Sequence, residues 1–168
     1  MEVNVRKETP QDIEAITLVT MAAFETLEIS NQTEHFIIKA LRAQEGLTLS
    51  LVAEVDGSVI GHIAFSPANI SDGTTNWYGL GPIAVFPTYQ KQGVGKRLIN
   101  KGLLLLKEMG GQGCVLVGDP GYYQQFGFKN YLEMTLEGIP QEFFMALPFT
   151  EEKPQGKVKF HEGFLANG

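Results

Sequence analysis

Apolar positions along the chain switch between two periods, and the switches divide it into short elements. Val3 and Val5 alternate with polar neighbours, the period of a half-buried strand. Thr9 then reads as a helix N-cap, with Pro10 at the first helical position and Asp12 where orphan amides and the helix dipole favour an acid. The spacing of Ile13, Ile16, Leu18, Val19, Ala23 and Phe24 predicts a first helix with one face on a sheet. Asn31, Gln32 and Thr33 break that pattern. Thr33 is placed to cap a second helix carrying Phe36, Ile37, Ala40 and Leu41, which Gly46 ends.

From Leu49 to Val55, and again from Val59 to Phe65, the chain is rich in β-branched and apolar residues, with the hairpin signal Asp56-Gly57 between them. A polar turn at 71–76 leads to a strand from Trp77 to Val85, and Phe86 to Gln92 is a polar loop. Val94 to Met109 is helical, with Leu98, Ile99, Leu103, Leu104, Leu105 and Leu106, and Gly110-Gly111 stops it. The all-apolar run Cys114 to Val117 suits a strand buried on both faces, as in a parallel pair. Gly118 to Gly121 turns into a short helix over Tyr122 to Phe126, and Phe143 to Leu147 and Val158 to Phe160 read as strands. The order β-α-α-β-β-β-loop-α-β-α-β predicts an α/β fold. Its sheet is mixed and mostly antiparallel, flanked by helices, with one parallel β-α-β crossover. No repeat or linker interrupts it, and residues 1–168 are expected to form one domain.

Composition narrows the classes of function. A formal net charge of -6 argues against nucleic acid as the main partner, because that affinity comes from Lys and Arg neutralising phosphates. The N-terminus lacks a signal-peptide layout and no apolar run has the length of a membrane span, so a cytoplasmic location and no membrane partner are expected. Cys114 sits among Val115, Leu116 and Val117 and reads as a buried strand thiol, not a nucleophile. His35, His62 and His161 have no companions at metal or triad spacing, so no metal site is expected and they read as solvated or core residues.

The most informative segment is Gln90-Lys91-Gln92-Gly93-Val94-Gly95-Lys96, where a strand hands over to a long helix. Amides at a helix start lack intrahelical partners and carry the positive end of the dipole, and glycines let a backbone approach a pyrophosphate closely. Lys91, Lys96 and Arg97 add positive charge. A lone Gly-x-Gly also occurs as a plain turn. The Walker phosphate loop fails here twice: Gln90 fills its first glycine position and Arg97 follows Lys96. The dinucleotide fingerprint fails at Leu98, where a third glycine or alanine is required.

With these residues the chain resembles the GNAT N-acetyltransferase superfamily, and more closely its YhbS-like branch. The resemblance rests on Gln90 to Gly95 preceded by Leu80-Gly81-Pro82-Ile83-Ala84-Val85 and Pro87, and on Gly118-Asp119-Pro120 with Tyr122-Tyr123 and Phe126-Gly127-Phe128. The hairpin Asp56-Gly57 with Val59 to His62 and the tail Gly156 to His161 with Phe164 extend it over nearly the whole chain. It implies acetyl-CoA as cosubstrate, in a V-shaped opening between the strand ending near Val85 and the strand Cys114 to Val117. The signature begins at Gln90. Amides of Gln92, Gly93, Val94, Gly95 and Lys96 would bind the pyrophosphate, and main-chain groups of Ile83 and Val85 the pantetheine arm. Asp119-Pro120 departs from the commoner pattern of an asparagine and small residues.

Transfer of an acyl group from a thioester to an amine needs a neutral amine and a proton for the departing thiolate. Tyr123 lies four residues before Gly127, where the family places its general acid, and a phenol of ordinary pKa stays protonated at neutral pH. The commoner fate of such a tyrosine is packing. Glu25 and Glu28, near the end of the first helix where this fold lines its acceptor pocket, are candidates for a general base, although exposed helix carboxylates are most often simply solvated. The expectation is an N-acetyltransferase acting by direct attack of a primary amine, on a small molecule or a protein. The alternative is a noncatalytic acyl-CoA-binding or regulatory module. Acceptor, acyl chain length and oligomeric state, homodimer included, stay open.

Overall fold

The computed structural model describes residues 1–168. β1 (Asn4–Lys7) leads through a 3-10 turn at Pro10–Asp12 into α1 (Ile13–Phe24), and α2 (Glu34–Ala43) follows. The hairpin of β2 (Leu49–Val55) and β3 (Ser58–Ile70) comes next, then β4 (Trp77–Val85), α3 (Val94–Glu108), β5 (Gly113–Val117) and the single-turn α4 (Pro120–Tyr123). β6 (Met134–Thr135), β7 (Phe144–Pro148) and β8 (Gly156–Phe160) close the chain. One sheet runs β1-β2-β3-β4-β5-β7, with β8 against the outer half of β3 and β6 against β8.

Local chemistry accounts for the hairpin. Asp56 and Gly57 both take left-handed φ values, +50° and +81°, the pairing whose twist matches two antiparallel strands. β3 runs on past Phe65 to Ile70, further than its alternation suggested, because β8 supplies a remote partner: Ala68 faces Phe160 and Ile70 faces Val158. β4 and β5 are the parallel pair across α3. A second parallel pairing, β6 with β8, spans two residues and is no β-α-β unit.

Two helical layers cover the sheet. On one face α3 lays Leu98, Ile99, Leu103 and Leu106 over Leu51, Ile63, Phe65, Cys114 and Leu116. On the other, Ile16 of α1 and Ile38 of α2 meet Val52. The buried side of α1 is narrower than its apolar residues suggested: Ile16, Val19 and Thr20 are buried, while Leu18 is 59% exposed. Leu18 lies roughly 200° around the helix from Ile16, so both cannot face one sheet. Leu104 in α3 is likewise turned outward. The Thr33 side chain makes no cap; its carbonyl accepts from the Phe36 and Ile37 N–H groups instead. No helix is long and apolar enough to cross a membrane.

Candidate active site

The site begins where two parallel strands part. β4 and β5 pair only at Trp77–Gly113, Tyr78–Cys114 and Gly79–Val115, after which β4 continues alone to Val85. Phe86 N–H donates to the Ile60 carbonyl, and antiparallel bonding alternates, so Ala84 is bonded to His62 while Ile83 and Val85 turn their main-chain groups away from β3. Those groups point to the open side. The Val85 carbonyl is already taken by Gln90 Nε2 at 3.0 Å, which leaves its N–H.

The loop between β4 and α3 is braced by its glutamines and leaves its amides unused. Gln92 Nε2 donates to the Thr88 carbonyl at 3.1 Å, the Gln90 N–H to Pro87, and the Arg97 N–H to Gly93. Between these, the N–H groups of residues 91–96, including Gln92, Gly93, Val94, Gly95 and Lys96, donate to no protein acceptor. Lys91 and Gly93 take left-handed φ values of +63° and +85°, a backbone form that gathers successive N–H groups into an anion-binding hollow. The hollow opens on a cleft of about 340 Å³ bounded by Val85, Gly93, Gly95, Lys96, Tyr122 and Gln125. Lys91, Lys96 and Arg97 form no ion pair with the protein, since its salt bridges lie at Arg6, Arg42 and His62.

Across the cleft, α4 presents Tyr122, while the adjacent Tyr123 is outside the cleft lining and packs inward against the core. Asp119 starts the helix, its carboxylate accepting from the Gly121 N–H at 3.0 Å and its carbonyl from Tyr122 and Tyr123. The Tyr123 ring lies so close to Gly118 that a Cβ there would stand 2.5 Å from it; only glycine admits this contact. Tyr123 packs edge-on against Tyr122 and Phe128. Burial, then the nearby Tyr122, Asp119 and Cys114, pushes its pKa up to about 12, so the phenol keeps its proton through the neutral range. Tyr122, by contrast, was singled out only as part of a motif. Its hydroxyl sits 3.6 Å from where a Cβ on Gly95 would be, directly over the loop.

The remaining candidates divide. Glu25 is exposed and borders a separate cleft between α1 and α2, with Met21, Phe24, Gln32, Glu34 and His35; Glu28 is exposed outside that lining. His161 accepts the Gly163 N–H through Nδ1 and serves the local turn. His62 is a core histidine, held in a polar cluster with Ser50 that its sequence neighbours gave no sign of. Cys114 is fully buried, and burial raises its pKa far above that of a reactive thiol.

A profile of the acetyltransferase (GNAT) family matches residues 14–128. The uncharacterized N-acetyltransferase YhbS of Escherichia coli (strain K12) is 37% identical over 126 residues, 74% of this chain and 72% of its own. The crystal structure of a GNAT family acetyltransferase from Brucella melitensis in complex with acetyl-CoA superposes with a TM-score of 0.87 at 49% identity, covering 97% of this chain and 98% of that one. E. coli YhbS in complex with CoA gives 0.91 at 31% identity, covering 100% and 94%. The chain belongs to the GNAT acetyltransferase family.

Proposed function

We propose that this chain transfers the acetyl group of acetyl-CoA to a primary amine by direct attack, with no covalent enzyme intermediate. The observation that carries the reading is the run of unpartnered N–H groups at 91–96, set at a helix start beside the free edge of β4. The amides of Gln92, Gly93, Val94, Gly95 and Lys96 hold the pyrophosphate, and Lys91, Lys96 and Arg97 add a field that favours it. Ile83, and the N–H of Val85, pair with the pantetheine arm as an added strand would. The B. melitensis relative, crystallised with acetyl-CoA, supports this choice of cosubstrate.

In the reaction a neutral amine attacks the thioester carbonyl, the C–S bond breaks, the CoA thiolate takes its proton from the Tyr123 hydroxyl, and the proton shed by the amine nitrogen, passed through solvent, restores the phenol. A donor whose pKa is pushed up to about 12 is always loaded at neutral pH. CoA thiol release with a panel of primary amines tests the assignment. Release that depends on an amine is expected. Binding of acetyl-CoA with no amine-dependent release across the panel would mark a noncatalytic module instead.

A further inference from the structure

The side chain of Tyr122 is held from several directions. Its N–H donates to the Asp119 carbonyl at 3.1 Å, and its own carbonyl accepts from Gln125 Nε2 at 2.9 Å. The ring meets Tyr123 and Phe126 edge-on, at centroid distances of 5.0 and 5.6 Å. Edge contacts of this kind set the plane of the ring and therefore where its hydroxyl ends. The hydroxyl itself has no hydrogen-bond partner in the protein.

It ends at a notch made by a missing side chain. A Cβ on Gly95 would stand 3.6 Å from the Tyr122 oxygen and 3.9 Å from both Ile83 Cδ1 and Val85 Cγ2. Those are ordinary contacts, and Gly95 lies in the first turn of α3, so neither crowding nor backbone form demands glycine there. What glycine supplies is room for something to approach the main chain.

The groups around the notch suit one kind of occupant. The N–H groups of residues 91–96 are unused, Lys91 and Lys96 line the same cleft, and no carboxylate does. In that company a phenol proton pairs with an acceptor that the ligand brings, and a hydrogen bond to a charged oxygen is among the stronger ones. Partial burial raises the Tyr122 pKa, which keeps the donor loaded. Position along the cleft selects the oxygen. Ile83 and Val85 belong to the edge that faces the pantetheine arm, and Gly95 to the amide run that faces the diphosphate, so the notch lies where those two parts of the cofactor join.

We propose that Tyr122 donates a hydrogen bond to the diphosphate, at the phosphate bonded to the pantetheine arm, and so sorts acyl thioesters by whether they carry that phosphate. The inference rests on the acetyl-CoA reading above. It separates the two neighbouring tyrosines: Tyr122 holds the cosubstrate equally before and during the reaction, while Tyr123 gives up a proton within it.

Tyr122→Phe removes one oxygen and keeps the ring contacts, so the melting temperature should be unchanged. Calorimetric titration of the full-length protein should show acetyl-CoA binding weakened by about tenfold or more, the worth of a hydrogen bond to a charged group. The competitor 3′,5′-ADP keeps the distal phosphate and lacks the one beside pantetheine, and it should bind both proteins alike. In thiol release with a competent amine, KM for acetyl-CoA should rise by the same factor at unchanged kcat, the mark of uniform binding. Acetylpantetheine, which has no phosphate, should be used equally by the two proteins. An acetyl-CoA Kd indifferent to the substitution, an equal loss for 3′,5′-ADP, or a fall in kcat at constant Kd overturns the contact. Failure of the unaltered protein to bind acetyl-CoA would remove the cosubstrate reading and this contact with it, and is told apart because it needs no variant.

Discussion

Tyr123 is positioned by what it leans on. Its ring occupies space that Gly118 leaves free and Phe128 closes, while its hydroxyl makes no hydrogen bond within the protein. Tyr123→Phe keeps that packing and removes only the proton donor. We expect kcat to fall by about 10²–10⁴-fold, the usual worth of a general acid, with acetyl-CoA affinity unchanged by calorimetry; undiminished kcat rejects the role. Asp12 makes a different kind of contribution. The Arg6 guanidinium, bonded at 2.8 and 3.0 Å, lowers the Asp12 pKa from 3.8 to about 2. Between those values the unfolded chain binds more protons at this site, so stability rises with pH across the window and is lost on acidification through it. Asp12→Asn should cost about 1–3 kcal/mol at pH 7 and flatten the pH dependence between pH 4 and 2, read by urea unfolding. Equal slopes in both proteins would show that the pair contributes nothing. The place of Asp12 at the helix start was legible because Thr9 lies three residues before it, whereas its Arg6 partner was not foreseen; Tyr123 was named from its distance to Gly127. The cluster of Glu8, Arg42, Ser50 and His62 was not legible, since its members come from four separate stretches that only tertiary folding assembles.

At the scale of elements, the start of α3 carries the most. Gly93 holds a left-handed φ of +85° with open space where a side chain would go, so replacement is opposed by the backbone and not by a clash. Gly93→Ala should cost about 1–2 kcal/mol of stability and weaken acetyl-CoA binding by re-aiming the neighbouring amides. Fluorescence or calorimetric titration reads the second effect; an unaltered Kd would show that the hollow does not depend on this turn. The loop was legible because glycine spacing and local cations lie within eight residues, at the start of an amphipathic helix. The same locality made the Asp56-Gly57 hairpin readable. β3 beyond Phe65 was hidden because its partner β8 lies some ninety residues away, and β6, two residues long, carries too little periodicity to be seen. In α1 the apolar residues outnumbered the buried face, since an exposed leucine looks the same in sequence as a buried one.

For the whole molecule, the fold exists to hold two strands apart at one end while they pair at the other. The paired half is welded by Trp77, Val115, Phe144 and Val158 in one cluster, and the α3 side by Phe65, Leu98 and Leu116 in another. The order of elements was readable because turns punctuate them; the parting of β4 from β5 was supplied by family resemblance, since strand divergence has no periodic mark. Everything proposed for the reaction depends on main-chain donors at that opening meeting a diphosphate. The most direct measurement is a ¹H–¹⁵N titration of the backbone amides with acetyl-CoA. The N–H signals of Gln92, Gly93, Val94, Gly95 and Lys96 should move first and furthest downfield, and 3′,5′-ADP, which lacks the diphosphate, should not reproduce the shift. Saturating acetyl-CoA that leaves those five signals in place, or moves a different face of the protein, would contradict the assignment.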